Sequence, residues 1–337
     1  MVRYNNERMQ TLSPPKKRLS RPDGDHLPPF RITDRDIAIV RSVARFRFLR
    51  SDQIVRFLGA SEQPILVRLK KLYWHAYLDR PEHQHSQLAA FLDEGNHPLV
   101  YGLGRAGARL LAELGDPIDD RLDWRTKNKR ATNLFLAHTL EVADVVMAFD
   151  FACAKVGALP IIDHHALRPF LPEETRRLRD PFRLRLAVHP RELPKGLKHD
   201  EPITIGVLPD RLVSLPYRDS TRDNFAIEHD RGTMDVRSKQ LVGKSSYRRK
   251  LLGYYHAWRR GLHTKVWGFQ RFRVLTVTPS EERIGHMIDA QREITNNTAP
   301  GLFLYSTPER LAAHGAFGDA WVSSKGEWIS ILDRERR

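Results

Sequence analysis

Three acidic residues stand at the ends of two predicted strands in the second half of the chain. Asp210 follows the apolar segment 203–207, and Glu228 and Asp230 lie at the end of the segment 224–229. Residues two apart in a strand share a face, so Glu228 and Asp230 are expected to point the same way. If the two strands pair, Asp210 can approach them.

Converging carboxylates repel each other unless a cation lies between them. Clusters of oxygen ligands suit Mg²⁺ or Mn²⁺, and such an ion can activate water and stabilise a leaving phosphate oxygen. Asp210, Glu228 and Asp230 are therefore candidate metal ligands and candidate catalytic residues.

The same acids also have an ordinary interpretation, because strand ends often carry solvated acids and Asp230-Arg231-Gly232 can form a turn with a surface salt bridge. The helix predicted next in the chain supplies side chains able to touch a phosphate backbone. They are Arg248, Arg249, Lys250, Tyr254 and Tyr255. Both interpretations stay open at this stage.

A different set of residues, near the N-terminus, points to DNA. Three capped helices are predicted, followed by two short strands around a long polar loop and by a fourth helix. They cover about residues 33–46, 51–58, 61–72, 77–78, 99–103 and 106–114. This order is typical of a winged helix-turn-helix, whose third helix enters the major groove of duplex DNA.

The candidate DNA contacts lie on that third helix, just before the second helix, and on the wing. They are Gln63, Arg68, Lys70 and Lys71 on the helix, Arg45, Arg47 and Arg50 before the second helix, and Arg80, His83, His85 and Gln87 on the wing. Arginine can bind guanine through two hydrogen bonds, glutamine can bind adenine, and lysine can neutralise phosphate. A solvated helix face and a protein-binding winged helix are the alternatives.

One glycine motif overlaps this module. Residues 102–107 read Gly-Leu-Gly-Arg-Ala-Gly, which matches the GxGxxG pattern of dinucleotide-binding proteins. That fingerprint needs a second strand that ends in an acid about 20 residues later. The chain runs instead into Asp116-Pro117-Ile118-Asp119-Asp120, so we expect these glycines to allow a turn and close packing of the fourth helix.

Bulk properties favour a polyanionic partner. The formal net charge is +15 and the isoelectric point is about 10.1, and cations set against phosphates release condensed counterions. The single cysteine, Cys153, excludes an internal disulfide and a multi-thiolate zinc site, which fits a reducing compartment. No apolar run reaches the roughly 18–20 residues that a membrane span needs. A cytoplasmic protein with no membrane partner is expected.

The predicted organisation is α+β. A basic arm covers 1–29, a winged helix 30–115, a charged linker 116–130, and an α/β domain with a mixed sheet 131–337. In that last domain, helices are predicted over 132–156, 239–260 and 280–294, and strands over 203–207, 211–215, 224–229, 266–270, 273–278 and 302–305. Alternating strands and helices predict a sheet flanked by helices.

Several segments, taken in order, resemble one family. They are ITDRDIAIVRSVARFRFLRSDQIVRFLG, VRLKKLYWHAYLDR, LVYGLGRAGARLLAELG, AHTLEVADV, VLPDRLVSL, FAIEHDRGTM and YRRKLLGYYHAW. Together they resemble the replication-relaxation family of bacterial plasmids and integrative elements over most of residues 31–278. The resemblance implies a winged-helix N-terminal domain and a role in replication, relaxation or transfer.

The second half is similar in layout to the restriction-endonuclease-like fold of the PD…(D/E)xK group. This similarity implies that Glu141 is the acid of the first helix, Asp210 the first motif aspartate and Glu228 the second motif acid. The lysine expected two residues after Glu228 is Asp230 in this chain. Lys250, one helix later, is a candidate substitute.

Three functions remain open. The first is a non-catalytic DNA-binding accessory protein that acts with a relaxase or replication initiator at an origin-type site. The second is a Mg²⁺- or Mn²⁺-dependent nickase or endonuclease. The third is a transcriptional regulator whose second domain senses a ligand or forms a homodimer.

Overall fold

The chain forms two compact units, which divide between Ala137 and His138. The computed structural model describes residues 21, 27–81, 98–118, 121–194, 197, 199–236 and 246–332. Helices and a mixed sheet are both present, which confirms the α+β class. The predicted arm over 1–29 lies mostly, and the wing residues His83, His85 and Gln87 lie entirely, outside the described residues.

The first unit has helices on a small sheet. Its elements are α1 (Asp34–Phe46), β1 (Phe48–Arg50), α2 (Ser51–Leu58), α3 (Glu62–Trp74), β2 (Leu78–Asp79), β3 (Val100–Leu103), α4 (Arg105–Glu113) and α5 (Trp124–Lys129). The three strands form an antiparallel sheet in the order β1-β3-β2. Strand β1 was not predicted, since three residues between two helices carry too little periodicity.

Local sequence explains where these helices begin and end. Thr33 caps α1 through a reciprocal capping box with Asp36, which satisfies two backbone donors. Gly59 ends α2 in the left-handed region at φ 60°, where a glycine has no steric penalty. Ile39, Ile54 and Leu69, one from each helix, are fully buried and bring the three helices together.

The glycines of the GxGxxG segment serve packing, as expected. A Cβ on Gly104 would lie 2.2 Å from the Ala76 carbonyl oxygen, and one on Gly107 would lie 2.2 Å from that of Tyr77. The Gly104 amide donates to the Tyr77 carbonyl at 3.0 Å, and the Ala106 amide donates to that of Ala76 at 3.0 Å. Two of the backbone amides at the start of this helix are therefore engaged by the chain itself.

Part of the segment predicted as a linker over 116–130 is helical. The side chain of Asn128 in α5 is buried, and its amide donates to the Leu103 carbonyl at 2.9 Å. This bond ties α5 to β3. The segment was predicted as a linker because it is charged, and a single buried residue in a short helix gives no periodicity that would indicate otherwise.

The second unit contains the remaining elements. They are α6 (Asn133–Val156), whose residues from His138 belong to it, β4 (Ile162–Asp163), α7 (His164–Leu167), α8 (Glu173–Arg176), β5 (Leu184–Val188), β6 (Ile203–Val207), β7 (Arg211–Pro216), β8 (Arg222–His229), α9 (Tyr247–Arg259), α10 (Leu262–Trp267), β9 (Arg273–Val277), α11 (Glu281–Thr295), β10 (Phe303–Ser306), α12 (Pro308–His314), β11 (Trp321–Val322) and β12 (Trp328–Ile329).

Seven of these strands form one mixed sheet in the order β12-β11-β10-β9-β8-β7-β4. Strand β8 pairs antiparallel with β7 and parallel with β9, so it lies in the interior of the sheet. Strands β5 and β6 form a separate hairpin. A Cβ on Gly253 of α9 would lie 2.6 Å from Val207 of β6, so this glycine lets α9 pack closely on the hairpin.

The two faces of β8 are covered by different helices. Phe225 contacts Phe149 of α6, with ring centroids 5.9 Å apart. Ala226, on the opposite face, belongs to the apolar core formed with Leu252 of α9 and Met287 of α11. Alternation along the strand therefore assigns Glu228 to the face of α9 and α11, and His229 to the face of α6.

The strand predicted over 266–270 is wrong. The chain forms α10 there, which ends at Gly268 with φ 72°. The Trp267 indole is fully buried and donates to the Phe182 carbonyl at 3.0 Å. Burial of this large ring and the left-handed Gly268 therefore favour a helix, although the composition of 266–270 is typical of a strand. The other predicted strands of this unit are confirmed, within two residues at their ends.

Among the described helices, none has the length and apolar character that crossing a bilayer requires.

Cys153 is buried in α6, and burial is the main reason that its pKa rises to about 11. It is a small core residue.

Candidate functional site

Asp210 lies immediately before β7 and is held by two donors. One carboxylate oxygen is 3.0 Å from Nε2 of His138 in α6, and the other accepts the backbone N–H of His229 at 2.8 Å. Burial raises the pKa of Asp210, but the hydrogen bond from His138 and the positive charge of Lys250 bring it below the ordinary value. Asp210 is therefore an ionised carboxylate.

Glu228 is buried on the opposite face of the sheet, with 4% of its side chain exposed. One carboxylate oxygen accepts from Lys250 Nζ at 2.5 Å and the other from the Tyr254 hydroxyl at 2.5 Å. Both donors come from α9, one turn apart. Burial and the charge of Asp210 raise the pKa of Glu228 against the opposing effect of Lys250, while the two carboxylates raise the pKa of Lys250 against its own burial.

Asp230 is held by α11. Arg283 donates through Nε at 2.5 Å and through a terminal nitrogen at 3.0 Å, and the Thr278 hydroxyl adds a bond of 2.8 Å. Asp230 therefore follows β8 as the partner of an arginine, which neutralises its charge within the fold.

These contacts change the predicted metal site. The carboxylates of Asp210, Glu228 and Asp230 already accept from protein donors, and the three do not form a convergent ligand group among the described residues. A Mg²⁺ or Mn²⁺ site needs carboxylate oxygens that converge on one point, so this trio does not fit such an ion. Lys250 does reach Glu228, as the resemblance to nucleases allowed.

On the α6 face of the sheet, three other residues converge. His138 and Glu141 stand three residues apart in α6, and His229 ends β8. One ligand atom from each lies within 4.8 Å of the others. His229 Nδ1 is 3.5 Å from a carboxylate oxygen of Glu141, which Arg231 Nε contacts at 3.0 Å. We call His138, Glu141 and His229 the His-Glu group.

The two histidines of this group have different electrostatic surroundings. Burial, together with the proximity of His138, lowers the pKa of His229 to about 4, so its ring is neutral near pH 7. The hydrogen bond to Asp210 raises the pKa of His138 above its ordinary value. The rings lie 6.0 Å apart in an edge-to-face arrangement.

Sequence reasoning identified Glu141 but missed both histidines, as well as Arg283. The signal for His138 was available, because residues three apart share one face of a helix. His229 was not predicted, because the acids considered at this strand end, Glu228 and Asp230, share one face and His229 lies on the other.

In the first unit, Arg68 does not project from α3 as a free cation. Its guanidinium forms an ion pair with Asp36 of α1, donating through Nε at 2.7 Å, donates to the Arg31 carbonyl at 2.9 Å, and lies 4.5 Å from the centre of the Phe30 ring. Asp36 itself is fully buried. Arg68 therefore joins α3 to α1, and its role as a DNA contact stays a prediction.

Two more of the predicted DNA contacts point inward. Arg80 is 5% exposed and donates to the Tyr101 hydroxyl at 3.0 Å. Arg47 donates to the Asn128 side chain at 2.7 Å and stacks on the ring of Phe48. Burial lowers the pKa of Arg47 to about 10. Both arginines support the small sheet.

The remaining predicted contacts are nearer the surface. Arg50 pairs with Asp52 at 3.0 Å, and Arg45 lies 4.8 Å from the centre of the Phe46 ring. Gln63 and Lys70 are exposed, and Lys71 is half-buried. Among the predicted contacts that the structure describes, exposure therefore separates Gln63 and Lys70 from the others.

Comparisons with known proteins agree with the resemblance. The model of the replication-relaxation family matches residues 40–270, well over half of the chain. No curated protein and no solved structure matches the chain. The matched region includes helices α2 to α10, the acids of β8 and the His-Glu group. The chain therefore belongs to the replication-relaxation family.

Proposed function

We propose that this protein is a DNA-binding accessory factor of a plasmid or other mobile element, acting in replication, relaxation or conjugative transfer. It binds an origin-type site in double-stranded DNA through its first unit and works beside a relaxase or replication initiator. A homodimer on a two-fold symmetric site is compatible with this role. Family membership supports a role in replication, relaxation or transfer. The observation that supports DNA binding is a row of exposed side chains on α3.

The order of elements in the first unit supports a winged helix-turn-helix. Helices α1, α2 and α3 are followed by the antiparallel strands β2 and β3, and β1 completes the sheet by pairing with β3. In modules of this kind the third helix lies in the major groove, and its exposed side chains reach base edges and phosphates.

A row of side chains along α3 faces solvent. Gln63, Val67 and Lys70 are exposed, with Val67 retaining 52% of its surface, and Trp74 lies half-buried at the end of the row. Lys70 Nζ stands 4.6 Å above the Trp74 ring, which orients the ammonium along the helix. A hydrogen-bonding amide, an apolar side chain and an oriented cation suit adenine, a thymine methyl group and a phosphate, respectively.

The second unit supports a non-catalytic role over hydrolysis. Its layout is compatible with a restriction-endonuclease-like fold, because an α-helix and antiparallel strands precede β8, which is parallel to β9. Lys250 takes the place of the motif lysine beside Glu228. However, the carboxylate oxygens of Asp210 and Glu228 are engaged by protein donors, which is the pattern of a buried structural network.

Salt-dependent binding of fluorescent duplex DNA to the full chain tests the proposal. The unmodified protein should bind with an affinity that falls steeply as salt rises. Lys70→Ala should weaken binding to all sequences and reduce the salt slope by about 1, whereas Gln63→Ala should cost about 1–3 kcal/mol at one base position. Lys265→Ala, an exposed lysine of α10, is the matched control and should change neither.

Two further measurements separate the alternatives. Supercoiled plasmid incubated with the protein and Mg²⁺ or Mn²⁺ should stay intact; nicking that Glu228→Ala abolishes would establish the endonuclease instead. Footprinting should place the site in an origin region, and protection of the protein's own promoter alone would favour a transcriptional regulator. Absence of binding to duplex DNA at low salt would contradict all three DNA-based functions.

A further inference from the structure

We propose that the His-Glu group is a binding site for one divalent transition-metal ion, of which Zn²⁺ is the representative. It differs from the oxygen-ligand site expected from the sequence in its residues, in its position on the α6 face of the sheet and in the metal that it selects. The inference does not depend on DNA binding.

The arrangement of the three ligands supports this assignment. His138 and Glu141 are held by the same long helix, and His229 is held by an interior strand, so rigid elements fix all three. One nitrogen from each histidine and one oxygen from Glu141 lie within 4.8 Å of one another. Ligands of one Zn²⁺ ion stand about 2.0–2.2 Å from the metal, so only small side-chain adjustments separate the observed spacing from coordination.

His229 provides the independent observation. Its side chain is 9% exposed, yet Nδ1 makes no hydrogen bond to any described residue. That nitrogen faces Glu141 across 3.5 Å. A buried polar atom without a hydrogen bond costs free energy, and coordination to a cation held jointly with Glu141 would satisfy it.

The surroundings of the group also suit a cation. Asp210 accepts from the ring of His138, as carboxylates commonly do behind a metal-bound histidine. The Glu141 oxygen that faces His229 also contacts Arg231, so an ion bound there would share this oxygen with the guanidinium or displace it. The Glu141 side chain as a whole is 36% exposed, so the group lies near the surface of the second unit.

Ligand type selects the metal. Two imidazole nitrogens and one carboxylate suit Zn²⁺ and its first-row neighbours, whereas Mg²⁺ and Ca²⁺ prefer a shell made of oxygen alone. Three protein ligands leave a fourth tetrahedral position for water. The bound ion would join α6 to the end of β8 and so stabilise the second unit.

Titration of the metal-free full chain tests the site directly. Zn²⁺ measured by calorimetry should bind tightly with a stoichiometry of one, and Co²⁺ should give visible ligand-field absorption that Zn²⁺ abolishes and excess Mg²⁺ does not. Zn²⁺ should also raise the melting temperature, because a ligand that binds only the folded state stabilises it. Absence of Co²⁺ absorption, or equal competition by Mg²⁺, would overturn the proposal.

Substitutions locate the ion. Glu141→Gln and His229→Gln should each weaken Zn²⁺ binding by more than about tenfold, since even residues behind the ligands contribute that much. Glu141 is half-buried and glutamine has nearly the same size and shape, so Glu141→Gln still tests the site if His229→Gln does not fold. The matched control is His256→Gln, a buried histidine 3.9 Å from Glu192 that belongs to no three-residue ligand group among the described residues. Zn²⁺ binding that survives in both test variants would assign the metal to surface histidines and refute the site.

Discussion

The two units both pair a predicted functional residue with an opposite charge, but they differ in which partner is buried. In the first unit a predicted DNA-binding cation, Arg68, is the partner of a fully buried acid, Asp36. In the second unit a predicted catalytic acid, Glu228, is itself buried and is the partner of Lys250. In each case the residue chosen for its chemistry is engaged by a neighbouring helix. The comparison teaches that residue type indicates chemical capability, while the partner determines whether that capability is available.

What remains available also differs between the units. Beside Arg68, the exposed row of α3 keeps one lysine and one amide, so the α3 surface that we propose for DNA has fewer free cations than the sequence predicted. Beside Glu228, the opposite face of β8 presents His229 to Glu141. Charge pairing thus leaves the exposed row of α3 in the first unit, which we propose binds DNA, and the His-Glu group in the second, which we propose binds a metal ion.

The largest expected effect comes from breaking the Glu228 pair. Lys250→Ala leaves a buried carboxylate with only Tyr254 as a donor, and removing one partner of a buried ion pair costs about 3–5 kcal/mol of unfolding free energy. Urea unfolding of the full chain measures this loss. Lys265→Ala, an exposed lysine, should stay within about 0.5 kcal/mol of the unmodified protein.

A double variant sharpens this test. If unpaired charge is the cause, Lys250→Met combined with Glu228→Leu should recover most of the lost stability, because an apolar pair often replaces a buried ion pair without loss. A Lys250→Ala protein as stable as the original would show that Glu228 is not ionised against the lysine in the folded state.

A smaller loss of stability is expected from Arg68→Ala. Asp36 would keep its bonds from the Thr33 hydroxyl and backbone N–H, and the Arg68 side chain is already 21% exposed, so about 2–3 kcal/mol is expected. DNA affinity at a temperature where the variant stays folded should be unchanged, in contrast to Lys70→Ala. Reduced DNA affinity with undiminished stability would return Arg68 to the role of a DNA contact.

Sequence patterns predicted the larger elements of both units and failed where single contacts decide. The long helix α6 and strands β6 to β8 have clear periodicity, and their positions were predicted. Strands of two or three residues such as β1 and β4 have none, and α10 depends on the burial of Trp267. Likewise, the positions of Asp210 and Glu228 near the ends of strands were predictable. Their partners were not, because His138 and Lys250 lie on helices whose facing residues only tertiary packing determines.

The smallest expected effect is a change of stability at low pH. It tests whether Asp36 and Arg68 form a stabilising ion pair or only lie close together. Burial raises the pKa of Asp36, but the hydrogen bonds from Arg68 and Thr33 outweigh it and leave the pKa below its ordinary value. The unfolded chain therefore takes up this proton at a higher pH than the folded chain does, so the ionised pair stabilises the fold above about pH 4 and loses its effect as the pH falls further. Urea midpoints of the unmodified protein and Asp36→Asn, compared across this range, should converge on acidification, since every other carboxyl group titrates in both. A difference that stays constant or widens would mean that Arg68 holds Asp36 no more firmly than water does.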